Sequence, residues 1–164
     1  MTALLTTGVL HDDGTLVTNN KTATRAIFGY GYNGSNVSMT NLVNNLGGVS
    51  TDTTGVGTAR AYLAAAGYGG DKAIFGYGTT GTIVSMTNLV SNTGVVSTDT
   101  TGVGTARHNL AAAGYGGDKA IFGYGFTTVS VSMTNLVSNT GVVGSDVTGV
   151  GTARYGLAAA SYSS

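Results

Sequence analysis

Few side chains in this sequence are suited to catalysis. The two histidines, His11 and His108, occur in unrelated contexts. General acid–base or metal catalysis needs a base with a pKa near neutrality, paired carboxylates or a cluster of metal ligands. A histidine at the start of a strand, as we predict for His108, is more often a surface or hydrogen-bonded residue, and His11-Asp12-Asp13 beside Gly14 is more typical of a solvated turn than of a cation site. We therefore predict that the protein is not an enzyme and holds no metal or cofactor.

Aspartate and arginine recur at a fixed spacing of 47 residues. Each periodic aspartate stands eight residues before an arginine, and the six residues are Asp52, Asp99, Asp146, Arg60, Arg107 and Arg154. This constant offset favours structural ion pairs within or between repeats over ligand binding. The Gly-Gly-Asp-Lys segments 69–72 and 116–119 favour tight hairpins over calcium sites, because the period differs from that of calcium-binding Gly-Asp repeats.

The same spacing divides the chain into two parts. The string A-I-F-G-Y-G and the string V-S-M-T-N-L-V each occur three times, beginning at Ala26, Ala73 and Ala120 and at Val37, Val84 and Val131. We assign residues 25–164 to the repeat region and residues 1–24 to a non-repeat segment. That segment contains an Asp-Gly turn between alternating apolar residues, which is typical of a hairpin or of a decayed repeat strand.

Composition excludes several classes of partner. Seven basic and seven acidic side chains cancel, so no field is present that would attract nucleic acid or anionic lipid. The chain lacks cysteine, which excludes disulfides and thiolate metal sites and leaves the compartment open. No apolar run approaches the roughly 20 residues of a membrane span, and the N-terminus lacks the basic start of a signal peptide. We expect no nucleic-acid partner and no membrane insertion.

Within one repeat the segments are short and separated by Gly, Asn, Asp and Ser, as is typical of strands and turns. We predict strand a at 108–115, strand b at 120–124, strand c at 131–137 and strand d from Val142. Four short strands in about 40 to 50 residues match one blade of a β-propeller. The sequence therefore predicts an all-β fold with three blades' worth of strands per chain.

The repeat resembles the Kelch repeat in particular strings. T-A-R-Y-G-L-A-A-A resembles the Arg-led start of a Kelch inner strand, A-I-F-G-Y-G resembles the strand that ends in a glycine pair, and V-S-M-T-N-L-V-S-N-T-G resembles the third strand and its turn. The chain departs from the pattern where a tyrosine separates Gly76 from Gly78 and where Val95 or Val142 replaces the usual tryptophan. The copper ligands of Kelch-type oxidases are missing. The resemblance implies a divergent relative, of a kind found in phage and bacterial surface proteins.

The distribution of strands over the repeat region predicts a dimer. The first repeat has no strand a between Arg25 and Ala26, whereas 154–162 is a strand a without a following blade. Three blades do not close, since propellers use roughly 4 to 8. We expect a six-bladed homodimeric ring in which 154–162 of one chain pairs with 26–31 of the other by strand exchange. The alternative is that the chain is part of a longer repeat array.

Divergence between the copies indicates a binding surface. The connections b–c and d–a emerge at one face of an antiparallel blade, and near-identical copies differ there, so we predict a variable rim that binds a glycan or a protein surface. Its residues are Tyr32, Asn33, Asn36, Tyr62, Thr79, Thr80, His108, Asn109, Phe126, Thr127 and Tyr155. We expect a structural or surface-binding module, and the resemblance implies a virion or cell surface. A scaffold without ligand and a propeller enzyme are the alternatives.

Overall fold

The chain is all β in the residues that this computed structural model describes, namely 8–10, 16–18 and 25–162. Its strands are β1 (Gly8–Leu10), β2 (Leu16–Thr18), β3 (Ala26–Tyr32), β4 (Asn36–Val43), β5 (Ala64–Tyr68), β6 (Lys72–Gly76), β7 (Thr87–Val90), β8 (Ala111–Tyr115), β9 (Lys119–Phe126) and β10 (Ser130–Val137). In this described part, no helix is long and apolar enough to cross a membrane. The prediction of an all-β fold is confirmed.

The strands form small antiparallel sheets that repeat along the chain. We call β3–β4 the first sheet, β5–β6–β7 the second and β8–β9–β10 the third, and β1–β2 is a separate hairpin. The second and third sheets share one register, since Ala64 lies opposite Gly76 and Ala111 opposite Gly123. These repeated sheets are consistent with a β-propeller-like architecture, and among the described residues they form no closed barrel.

Two predicted strands differ from the structure. Strand a begins at Ala111 rather than at His108 because Asn109 adopts a φ of 53°, which interrupts an extended backbone. The predicted strand d is not a strand, and its backbone pairs with β10 through the isolated bridges Val137–Val143 and Thr134–Val147. In the second sheet the Ser97 hydroxyl accepts the backbone hydrogen bond of Leu89 N, so a side chain takes the place of a regular ladder bond.

Small residues allow the chain to turn after β5 and β8 and allow these two strands to pack closely. The turns after β5 and β8 each contain two glycines with positive φ, between 60° and 82°, as a tight hairpin requires. Strands β5 and β8 belong to different sheets but lie side by side, and a Cβ added at Gly114 would stand 3.3 Å from the Gly67 carbonyl oxygen. Small residues therefore bring β5 and β8 close together.

Aromatic residues fill the space between successive sheets. The Tyr30 ring of the first sheet packs on Phe75 of the second at 5.2 Å, and the Tyr77 ring packs on Phe122 of the third at 5.1 Å. Both phenylalanines are buried, at 3% and 0% exposure, whereas Phe28 at the same position of the first sheet is 61% exposed. We call each contact zone between successive sheets a junction, and the core of this protein lies in its two internal junctions.

Candidate functional site

The variable rim is built where each segment that follows a periodic arginine meets the loop between two strands. Ala61 N donates to Thr79 O at 3.0 Å, and His108 N donates to Phe126 O at 3.1 Å. These bonds form the isolated bridges Ala61–Thr79 and His108–Phe126. The backbone thus brings together two chain segments that are 18 residues apart in the sequence.

Four aromatic side chains of the rim lie in continuous contact. Ring centroids are 6.1 Å apart for Tyr62 and His108, 5.7 Å for His108 and Phe126, and 5.1 Å for Phe126 and Tyr155. The ring planes are tilted by 50° to 68°, an arrangement that favours edge-to-face attraction. The two terminal tyrosines remain about half exposed, at 55% and 54%. We call these four side chains the aromatic row.

Backbone hydrogen bonds hold the aromatic row across two junctions. Asn109 N donates to Tyr62 O at 2.8 Å, and Gly156 N donates to Asn109 O at 2.9 Å. Tyr62, Asn109 and Gly156 occupy the same position of successive repeats, and each has a φ between 53° and 66°. This left-handed conformation costs on the order of 1 kcal/mol or more for a residue other than glycine, so the surrounding contacts must hold it in place.

The His108 side chain is the polar centre of the row. Its Nδ1 is buried, and among the described residues it has no hydrogen-bond partner. A buried nitrogen without a partner loses free energy relative to water. The row therefore combines exposed aromatic area with one polar atom that lacks a bond.

The other predicted rim residues lie outside the row. Asn36 Nδ2 donates to Thr79 O at 3.2 Å and links the first two sheets. The loop residues Asn33, Thr80 and Thr127 bond within their own loops, through Ser35 N, Thr82 O and Val129 O respectively. Tyr32 is 64% exposed and shows no ring contact in the described part of the chain. The structure thus brings four of the predicted rim residues together and leaves the rest around them.

Arg60 and Arg107 lie inside the two internal junctions. Arg60 is fully buried, and its guanidinium donates to Asn88 Oδ1 at 2.6 Å, Tyr77 O at 2.9 Å and Thr58 O at 3.3 Å, while it stacks 4.4 Å over the Tyr30 ring. Burial lowers the pKa of this guanidinium, although an arginine stays charged in proteins. Each arginine therefore ties the sheet that follows it to the tyrosine of the sheet before.

Arg107 repeats these contacts one period later. It bonds Asn135 Oδ1 at 2.7 Å, Tyr124 O at 2.8 Å and Thr105 O at 3.1 Å, and it stacks 4.3 Å over Tyr77. Like Arg60, it is fully buried. Two internal junctions with one pattern of bonds show that the repeat specifies the junction as well as the sheets.

Asp99 and Asp146 accept hydrogen bonds mainly from neutral donors. Asp99 accepts from Thr58 Oγ1 at 2.6 Å, from Thr58 N and from Asn88 Nδ2 at 2.9 Å, and its carboxylate lies 3.7 Å from Arg60 Nη1. Asp146 accepts from Thr105 and Asn135 in the same way. Burial raises the pKa of both carboxyls, but these hydrogen bonds outweigh it and the net pKa is lowered.

Sequence reasoning missed the two buried asparagines of these networks. Asn88 and Asn135 are 0% exposed, and each joins an arginine to an aspartate. The available signal is the asparagine at the fifth position of V-S-M-T-N-L-V in every copy. A polar residue that recurs within an otherwise apolar strand pattern indicates a buried hydrogen-bond network.

The third arginine and the first aspartate are placed differently. Arg154 is exposed, stacks 4.2 Å over Tyr124 and donates to Thr152 O at 3.1 Å. Asp52 is exposed and accepts from Asn41 Nδ2 at 2.8 Å. Between residues 25 and 162 these two form no ion pair. His11-Asp12-Asp13 lies outside the described residues, which contain no cluster of three His, Cys, Asp or Glu.

Comparison with known proteins identifies no family. No protein-family model and no curated protein matches the chain. A fungal alcohol oxidase with catalytic diversity among the AA5 family, solved in complex with copper, has a similar fold, with a TM-score of 0.50 and 13% sequence identity. The likeness covers 80% of this chain and 27% of the oxidase, so the chain spans about a quarter of that structure. At this identity the likeness concerns the fold alone.

Proposed function

We propose that the chain forms three blades of a Kelch-like β-propeller and that two chains close into a six-bladed homodimeric ring. In this ring, residues 154–162 of each chain pair with residues 26–31 of the other chain. The repetition of sheet register and of the tyrosine–phenylalanine contact supports the propeller. Six is the one multiple of three within the range of roughly 4 to 8 blades that propellers use.

We further propose that the ring is a non-catalytic surface-binding module of a virion or cell-surface assembly, and that its rim contacts a glycan. The observation that carries this proposal is the aromatic row, because its four rings meet at positions where otherwise near-identical repeats differ. Half-exposed tyrosines offer apolar faces to sugar rings.

A glycan array tests the proposal with a matched pair of tyrosine variants. Tyr62→Ala removes one end of the row, whereas Tyr115→Ala removes a tyrosine that is 40% exposed at the end of β8, next to the hairpin turn. We expect wild-type protein to select particular glycans, Tyr62→Ala to lose at least about tenfold in affinity and Tyr115→Ala to bind normally. No selective binding by the wild type would favour a scaffold without ligand, and equal losses for both variants would contradict a site on the rim.

A further inference from the structure

We propose that the two ends of the repeat region are complementary halves of one further junction, and that a second copy of this chain forms it. The inference rests on the ring proposed above and adds the contacts that close it. It also makes the aromatic row a composite of two chains. The two internal junctions supply the pattern, since each repeats the other with a shift of 47 residues.

The C-terminal half of this junction is already in its bound form. Tyr124 stacks against Arg154 at 4.2 Å, as Tyr77 stacks against Arg107, and Tyr124 OH donates to Val150 O at 3.0 Å. Gly125 N donates to Arg154 O at 3.1 Å. Within the described residues, however, the guanidinium has neither the asparagine nor the strand carbonyl that Arg60 and Arg107 bond.

The N-terminal half is equally prepared. Asn41 Nδ2 donates to Asp52 Oδ1 at 2.8 Å and to Ser50 O at 3.1 Å, the same two bonds that orient Asn88 in the first internal junction. Its Oδ1 therefore occupies the position that accepts from an arginine in the other repeats. Phe28 is 61% exposed, where its counterparts in the next two repeats are 3% and 0% exposed.

The contacts of the new junction follow from those of the internal junctions when each residue number is shifted by one 47-residue period. Arg154 would donate to Oδ1 of the partner's Asn41 and to the backbone oxygen of the partner's Tyr30, and Thr152 would donate to the carboxylate of the partner's Asp52. The ring of the partner's Phe28 would cover Tyr124. Because both halves are oriented before they meet, docking loses little conformational entropy.

An open cleft lies where the exchanged strand would fit. Its volume is about 1640 Å³, and its lining includes residues 25–27 at the free edge of β3, residues 65–68 of β5 and, from the same chain, Ser161 and Tyr162. This exceeds the roughly 300 to 1,000 Å³ of small-ligand pockets. If the exchanged strand pairs with β3 as β5 pairs with β6, Ala159 lies opposite the partner's Phe28.

The junction would also extend the binding surface. His108 and Phe126 pair through a backbone bridge, and the shift by one period sets Tyr155 beside the partner's Tyr32 in the same way. Each aromatic row then gains a fifth ring from the other chain. The glycan site on the rim is therefore incomplete in one chain alone.

Mass measurements on paired variants test this inference. Phe28→Ser alters the N-terminal half, Arg154→Glu alters the C-terminal half, and Leu46→Ser is the control because Leu46 is 89% exposed outside the proposed junction. We expect wild type and control to sediment at twice the chain mass of 16.3 kDa. Each junction variant should weaken dimerisation about 30-fold per junction and about 1000-fold for a ring with two junctions.

Mixing the variants decides the geometry. In an equimolar mixture of Phe28→Ser and Arg154→Glu chains, the mixed pair has one unaltered junction and one junction that carries both substitutions. The costs of two substitutions that share contacts within one junction are less than additive, so the mixed dimer should be tighter than either variant homodimer. Should Phe28→Ser lose its β-sheet circular dichroism, Asp52→Ala replaces it, since Asp52 is exposed. A monomeric wild type would overturn the proposed ring itself. A dimer that survives both variants, or a mixture that stays monomeric, would overturn the junction while leaving the blades intact.

Discussion

Replacement of Arg107 by alanine tests the role of the buried arginines. The change removes three hydrogen bonds and a stack over Tyr77, and it leaves Asn135 Oδ1 and the Tyr124 carbonyl without their donor. Each buried acceptor that is left without its donor costs about 1–3 kcal/mol, so the two together cost about 4 kcal/mol at the middle of that range. At about 2–4 °C per kcal/mol for a chain of this size, the expected fall in Tm is about 12 °C.

Arg154→Ala is the matched control for this experiment. Arg154 is exposed and makes one hydrogen bond and the same stack, so its loss should cost less than about 1 kcal/mol in the free chain. Both variants are compared by urea and thermal denaturation in a Phe28→Ser background, which separates chain stability from dimerisation. Arg107→Lys should also destabilise, because an ammonium group cannot reproduce the planar fork of donors. Equal losses of Tm for Arg107→Ala and Arg154→Ala would refute this reasoning.

Three further results are expected. Burial raises the pKa of Asp99 and Asp146, but hydrogen bonds lower it more strongly. The free energy of unfolding should therefore stay constant from pH 7 to about 4 and fall as the pH drops through the lowered pKa values. Urea denaturation between pH 7 and pH 2 would measure this. Burial raises the pKa of Tyr77 against the opposing charge of Arg107, so its stabilising contribution should be lost as the pH rises above 10. Burial also raises the pKa of Tyr30 and Tyr68, so ultraviolet titration should detect a late-ionising group of tyrosines that loses one member in Tyr77→Phe. Gly76→Ala should cost about 1–3 kcal/mol because its Cβ would lie 2.7 Å from Phe122, whereas Gly67→Ala meets nothing closer than 3.6 Å and should change the Tm by less than about 3 °C.

The sequence predicts strands and turns well where local chemistry decides them. Strand β10 runs from Ser130 to Val137, against a predicted 131–137, because a β-branched pattern and an Asn-Thr-Gly turn bound it. The late start of β8 could not be predicted, since the positive φ of Asn109 depends on its backbone bond to Tyr62 in the preceding repeat. The prediction of strand d was wrong, because the backbone from Val142 onwards pairs with β10 at separate points only.

The candidate site was predictable in its members but not in its arrangement. Differences between copies mark Tyr62, His108, Phe126 and Tyr155 as rim residues. Their contacts depend on the distance between neighbouring sheets, which no spacing within one repeat encodes. Likewise, the eight-residue offset predicts ion pairs, but Arg60 lies nearest the carboxylate of Asp99 in the following sheet and bonds most closely to a buried asparagine.

Disulfide trapping tests the proposed strand exchange most directly. The chain contains no cysteine, and the register Gly67–Ala73 and Gly114–Ala120 aligns Ser161 with the partner's Ala26. Directly opposed residues in antiparallel strands have the Cα separation that a disulfide requires. After mild oxidation, the double variant Ser161→Cys, Ala26→Cys should give one band at twice the chain mass on a non-reducing gel. The control double variant Ser161→Cys, Leu46→Cys should stay at the chain mass. A disulfide within single chains, or a ladder of higher multiples, would contradict the closed ring of two chains.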